Sequence, residues 1–285
     1  MRRLLPALLA ALTITWTAGA AVADPDLAEP DFEYVALGDS SAAGPLIPQQ
    51  DPEAPGCMRS SRNWPSVLAE RIGARLTDVT CSGAVTDDLT GSQTTIDGES
   101  QAPQADALSP STDLVTLTLG GNDIALVDLA GKCVNLLPQP IGRSCRDEFT
   151  AGGRDELAER IDAYAAEFAA ALDLISDRAP GARVVVVGYG THIRPEGCHP
   201  EQPIWPKDAA YLQGGIHRLN ELFAREAAEH GALYVDVESP SVGHDACAPS
   251  AQKWFEGVVV TGPVAPLHPN KAGMAAVGGI VADRL

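Results

Sequence analysis

Short apolar runs that stop at small or polar residues alternate along this chain with longer stretches at helical spacing. Tyr34-Val35-Ala36-Leu37 ends at Gly38-Asp39-Ser40, and Asp113 to Leu119 ends at Gly120-Gly121-Asn122-Asp123. Arg75 to Cys81 carries Leu76, Val79 and Cys81 and runs into Ser82-Gly83-Ala84. Arg183 to Val187 is almost wholly apolar, and Leu233 to Val237 follows later. Runs of this length ended by glycine and polar residues read as strands, and a near-continuous valine run belongs to a sheet covered on both faces. Between them, Leu157, Ile161, Tyr164, Phe168, Leu172 and Ile175 recur at helical spacing in the stretch Arg154 to Asp177. Ala209 to His230 and Asn270 to Leu285 read as further helices. Asn63-Trp64-Pro65 opens another, which Gly73 closes, with Asn63 as N-cap and proline in the first turn. Strands alternating with helices and joined by long connections predict a doubly wound α/β domain of three layers, with about five parallel strands. The stretches 91–112, 131–153, 193–208 and 239–267 lack a periodic pattern and read as long loops that shape a binding site.

The first residues alter the picture of where the chain works. Met1-Arg2-Arg3 precedes an apolar, acid-free run from Leu4 to Ala23 that ends in Ala21-Val22-Ala23. This is the pattern of a secretory signal peptide over residues 1–23, leaving 24–285 as a single domain exported from the cell. No later stretch approaches the roughly 18 consecutive apolar residues that a membrane span needs. The formal net charge of −18 disfavours nucleic acid and anionic surfaces as partners. A monomer without stable membrane insertion is expected. Six cysteines in a secreted chain read as three disulfides, and the sequential pairing Cys57–Cys81, Cys133–Cys145 and Cys198–Cys247 is expected. A zinc site is disfavoured because no C-x-x-C pair occurs.

Parallel connectivity places the carboxyl ends of the strands on one rim, where open α/β sheets carry their chemistry. Four short stretches fall at such ends: Gly38-Asp39-Ser40, Ser82-Gly83-Ala84, Gly120-Gly121-Asn122-Asp123 and Leu267-His268-Pro269-Asn270. They supply a hydroxyl to attack, an imidazole to take its proton, and amide donors to hold an oxyanion. Ser40 is the candidate nucleophile and His268 the candidate base; the Ser40 and Gly83 backbone amides and the Asn122 side chain are the candidate oxyanion donors. Asp39 and Asp123 read as residues that order their turns. Trp254 and Phe255, on the loop before His268, are candidates for one wall of a substrate pocket or for anchors of that loop. His192 and His244 follow strand ends and are candidates to line the cleft, whereas His199, His217 and His230 read as loop or surface residues.

In their order and spacing the four stretches resemble the sequence blocks of the SGNH hydrolases, the GDSL esterases and lipases. With the signal segment, the six cysteines and the Leu-His-Pro-Asn ending, the likeness is to the secreted actinobacterial branch of lipases, esterases and phospholipases. The resemblance implies a flavodoxin-like sheet and a serine ester hydrolase of lipid or short-chain acyl esters, with no cofactor and no metal. One position departs from it. The family usually has an aspartate three residues before the histidine; here Ala265 stands there, and the nearest preceding acid is Glu256, twelve residues back. A Ser40–His268 dyad is therefore expected, its imidazole oriented by the main-chain carbonyl of Ala265 or Pro266. Carbohydrate esterase and phospholipase activities are alternatives on the same site. A two-metal phosphoesterase is faintly echoed by Gly121-Asn122-Asp123 and Gly243-His244-Asp245 but lacks the needed D-x-H and G-N-H. A non-catalytic binding protein on the same fold is the remaining rival.

Overall fold

The five stretches read as strands form one sheet in the computed structural model, which describes residues 32–285. The expected signal segment and its boundary at Ala23 lie outside the described residues. In chain order the elements are β1 (Glu33–Gly38), α1 (Ser40–Ala43), α2 (Trp64–Ile72), β2 (Arg75–Asp78), the short strands β3 (Gln93–Thr94) and β4 (Ser100–Gln101), β5 (Leu114–Thr118), α3 (Leu126–Lys132), α4 (Cys145–Phe149), α5 (Glu156–Arg178), β6 (Arg183–Val187), α6 (Pro206–Glu229), β7 (Leu233–Val235) and α7 (Lys271–Ala282). The sheet runs β2-β1-β5-β6-β7 with every pairing parallel. Counting only its own strands, that is the flavodoxin-like order 2-1-3-4-5, with the topological switch between β1 and β5.

Alternation along the strands divides the core into two layers. Val35 and Leu37 of β1 join Val115, Leu117 and Val186 beneath α5 and α6. Tyr34 and Ala36 point the other way, with Leu114, Val185 and Val187, and are covered by Trp64 and Leu68 of α2 and Met274 and Val277 of α7. A residue shift in any strand would exchange these faces, so the pattern itself holds the register. In the second layer Tyr34 and Thr116 satisfy each other by a 2.7 Å hydroxyl hydrogen bond.

The elements depart from the sequence reading at their ends. β2 stops at Asp78, short of Cys81, because the Asp78 carboxylate accepts from the Thr80 amide and hydroxyl and turns the chain toward Cys81. β7 ends at Val235, where Asp236 turns back to accept from the Ser239 amide. α6 starts three residues earlier than Ala209, with Pro206 in its first turn, where a missing N–H costs nothing. The 91–112 stretch is not irregular throughout: β3 and β4 pair antiparallel within it, and Gln104 clamps the end of β1, accepting from Gly38 N at 2.8 Å and donating to Gly38 O at 3.0 Å. Disulfides join Cys57 to Cys81, Cys133 to Cys145 and Cys198 to Cys247.

Candidate active site

The strand β1 delivers Ser40 through a tight passage. The Asp39 amide donates to Thr118 O at 2.9 Å, bringing the ends of β1 and β5 together. A Cβ on Gly38 would lie 2.7 Å from that same carbonyl oxygen, so only glycine fits. Asp39 then caps α1 by accepting from the Ser41 amide at 2.8 Å, leaving Ser40 as the first residue of the helix.

Ser40 Oγ lies 2.6 Å from His268 Nε2, although 228 residues separate them in sequence. On the far side of the ring His268 Nδ1 is 2.7 Å from the carbonyl of Pro266. A carbonyl oxygen only accepts, so Nδ1 carries the proton, Nε2 is the acceptor and the Ser40 hydroxyl donates to it. Burial holds the His268 pKa below its usual value, against the opposing pull of the Pro266 hydrogen bond. The imidazole is therefore neutral, and able to take a proton, at neutral pH. Of the two carbonyls expected to orient it, Pro266 makes the contact; the Ala265 amide instead donates to Pro45 O.

A braced loop carries the histidine. The Glu256 amide donates to His268 O and the Leu267 amide to Gly257 O, both at 3.0 Å. Leu267 holds φ at +65°, a left-handed value unusual for leucine. Glu256 is buried and does not contact the imidazole: its carboxylate accepts from Thr261 N, Thr261 Oγ1 and Asn270 Nδ2. Asn270 in turn caps α7 through Ala272 N and Gly273 N. The acid missing at position 265 is thus not replaced at the ring; the nearest acid stiffens the loop instead.

The three groups expected to hold an oxyanion have hydrogens to spare. The Ser40 and Gly83 amides have no acceptor among the described residues. Asn122 uses one Nδ2 hydrogen on Ala84 O at 2.8 Å, which ties the β5 loop to the Gly83 turn and leaves its second hydrogen unused. Thr86 N donates to Asp123 Oδ1, a second tie between the same two loops. Beneath them runs a chain that sequence reasoning missed. Gly121 N donates to Tyr189 Oη at 2.8 Å, and that hydroxyl donates to Asp39 Oδ2 at 2.6 Å. It links the turn holding Ser40 to the loop holding Asn122. Burial pushes the Asp39 carboxyl up to about 7, against the hydrogen bonds from Tyr189 and Ser41. Tyr189 follows β6 by two residues, and its place at a strand end was the one signal available.

A narrow cleft opens from Ser40 and His268. Leu126 and Val127 of α3, Ile193 and Ile204 from the segment before α6, and Leu212 and Ile216 of α6 line it. His192 lines it too; Nδ1 is held by Gly190 O at 3.0 Å, and burial drops its pKa to about 4. Trp254 and Phe255 do not line this cleft, contrary to the pocket-wall expectation. Trp254 stacks on His244 with centroids 4.0 Å apart, and Phe255 is sunk in the core against His192. Both are anchors because the loop that carries His268 crosses the α2–α7 layer and needs apolar groups to hold it there. Asp245 is bound by Arg194 and His244 Nδ1 lies 2.6 Å from Gln252 O, and neither residue lines the cleft.

The sequence profile of the GDSL-like lipase/acylhydrolase family matches residues 36–276, most of the chain and all four blocks. The chain belongs to that family. As a GDSL lipase/acylhydrolase it is a carboxylic ester hydrolase. It is 39% identical to lipase 2 of Streptomyces coelicolor, an alignment covering 96% of this chain and 93% of that protein. It is 31% identical to a lipase of Streptomyces rimosus over 85% of this chain and 82% of the relative. Among solved structures, phospholipase A1 from Streptomyces albidoflavus superposes with a TM-score of 0.69 at 26% identity, covering 90% of this chain and 99% of that one. The extracellular lipase of Streptomyces rimosus superposes with a TM-score of 0.67 at 27% identity, over 88% and 98%. These likenesses place this GDSL hydrolase in the actinobacterial branch of the family.

Proposed function

We propose that this enzyme hydrolyses lipid-like acyl esters through an acyl-enzyme on Ser40, with His268 as base and then acid. The observation that carries the reading is the 2.6 Å contact between Ser40 Oγ and the unprotonated Nε2 of an imidazole whose other nitrogen is fixed on Pro266 O. Ser40 Oγ attacks the ester carbonyl as its proton passes to Nε2. The tetrahedral oxyanion takes the amides of Ser40 and Gly83 and the spare hydrogen of Asn122, each worth about 3–4 kcal/mol in sites of this kind. The imidazolium returns the proton to the departing alkoxide, releasing the alcohol. Water then attacks the acyl-serine with His268 again as base, releasing the acid and restoring Ser40. Pro266 O fixes the tautomer but stabilises the imidazolium less than a carboxylate does.

The acyl chain belongs in the apolar cleft between α3 and α6, whose lining suits a hydrocarbon chain better than a sugar. Relatives called lipase and phospholipase A1 support that choice. Residues 1–23 serve as the signal peptide of a secreted, monomeric enzyme of a single domain, a reading supported by the extracellular lipase among its structural neighbours. The test is hydrolysis of p-nitrophenyl esters from two to sixteen carbons by the mature protein. A preference for medium or long chains is expected. Activity confined to the acetyl ester, with turnover of acetylated sugars, would replace the lipid reading by the carbohydrate one.

A further inference from the structure

The loop between Cys133 and Cys145 combines two properties that rarely coincide: it is firmly held, and it shows its largest apolar groups to solvent. The disulfide closes it. Val134 bridges to Ile204, Asn135 N donates to Pro203 O at 2.7 Å, and Trp205 Nε1 donates to Leu137 O at 2.9 Å. Inside the loop, the Asn135 side chain both accepts from Arg143 N and donates to Arg143 O. Yet Leu136 is 81% exposed, Leu137 55% and Ile141 61%. A loop with this many backbone anchors has no need of three solvent-facing aliphatic side chains for its fold, and neighbouring exposed apolar groups mark an interaction surface.

The place of the loop says what it meets. It follows α3 directly, and Val127 of α3 is at once cleft lining and 45% exposed, so the apolar surface continues from the cleft onto the outside. Ile204, the bridge partner of Val134, also lines the cleft. A second apolar edge joins there: Gln202, another cleft residue, holds both N and O of the exposed Val259. Charge narrows the choice further. The chain as a whole carries −18, but the loop from Cys133 to Cys145 has Arg143 and no acid, and from Gly257 to His268 there is no Asp, Glu, Lys or Arg. Apolar groups beside an arginine on an acid-free loop, in an otherwise acidic protein, match an aggregate of lipids that bear phosphate head groups.

We infer that Leu136, Leu137 and Ile141, with Arg143 beside them, form a docking surface by which the enzyme settles on phosphate-bearing lipid aggregates, with the cleft mouth facing the lipid. The inference rests on the lipid-ester reading of the cleft. Adsorption positions the cleft where an acyl chain need travel only from the lipid layer into apolar surroundings. Two steps then separate: docking, which depends on the loop, and hydrolysis, which does not.

The experiment measures them apart. Cosedimentation with phosphatidylcholine vesicles is run on Ser40→Ala, which leaves the lipid intact, with and without Leu136→Ser, Leu137→Ser and Ile141→Ser together. The triple change is expected to weaken vesicle binding more than ten-fold. In the active background, the triple variant is expected to hydrolyse dissolved p-nitrophenyl butyrate within two-fold of the parent. Vesicle binding by the triple variant equal to its parent, or none by the parent, overturns the inference. So does a parent that is dimeric by sedimentation velocity and made monomeric by the triple change, which would assign the surface to a second copy. If the triple variant fails to fold, Leu136→Asp alone serves, since that side chain is the most exposed of the three. An enzyme that binds vesicles yet leaves every ester intact counts against the hydrolytic reading and not against the surface.

Discussion

Asp39 is a buried carboxyl that the fold tolerates at a cost, and replacing it by asparagine should reveal that cost as a pH dependence. The side chain is 2% exposed, and burial raises its pKa to about 7. In the unfolded chain the same group ionises near its ordinary 3.8. Below the unfolded value both states are protonated and the group does not oppose folding. As pH rises toward 7 the unfolded state releases its proton while the native state keeps it, so stability falls; above 7 both are ionised and the loss is complete. A displacement from 3.8 to about 7, at roughly 1.4 kcal/mol per unit, amounts to about 4 kcal/mol. In Asp39→Asn the amide oxygen still accepts from Ser41 N, but the amide nitrogen now faces the Tyr189 hydroxyl and leaves its hydrogen unpaired. That adds an offset of about 1–2 kcal/mol without pH dependence. Urea unfolding followed by tryptophan fluorescence at several values between pH 4 and pH 8 reads the difference directly. The wild type should lose about 4 kcal/mol relative to Asp39→Asn across that range. Parallel profiles for the two proteins would refute the claim that Asp39 is a strained, buried acid.

Three other outcomes follow from the geometry. The depressed pKa of His268 places the acid limb of kcat/KM below pH 6.5, with activity full at neutral pH and lost as pH falls; a limb centred above 6.5 contradicts it. Tyr189→Phe leaves Asp39 Oδ2 and Gly121 N short of a partner, and kcat should fall about ten-fold with KM nearly unchanged, since about 1–3 kcal/mol is lost from groups that position Ser40 and Asn122 rather than bind substrate. An unchanged kcat would show that the two loops hold their places unaided. Gly38→Ala drives a methyl against Thr118 O, and thermal unfolding should reveal a destabilisation of about 3 kcal/mol, where a change below 1 would show that the ends of β1 and β5 can part.

The sheet was legible because its central strands are apolar runs halted by turns and its edge strand β2 leads into one, and that signal survives without tertiary knowledge. Strand ends were less so. Asp78 and Asp236 end β2 and β7 through their own side-chain hydrogen bonds, which the apolar pattern of Val79, Cys81 and Val237 hides. The strands β3 and β4 have two residues each, too few for any period to show. Ser40 and His268 stand out in their short blocks, but a contact across 228 residues depends on the whole sheet. Trp254 and Phe255 illustrate a limit of another kind: an aromatic residue on a loop has the same sequence signature whether it faces substrate or core. Tyr189 acts through Asp39 and Gly121, far away in sequence, and Glu256 through Thr261 and Asn270 across an irregular loop, so no periodic pattern announces either.

The central claim is that Ser40, activated by His268, is the nucleophile. Labelling the mature enzyme with a fluorophosphonate and mapping the adduct by mass spectrometry tests it most directly. A single adduct on Ser40 is expected, absent in Ser40→Ala and formed at least a hundred-fold more slowly in His268→Ala. An adduct on Ser41 or elsewhere, or an enzyme that hydrolyses esters while resisting the reagent, would contradict the account.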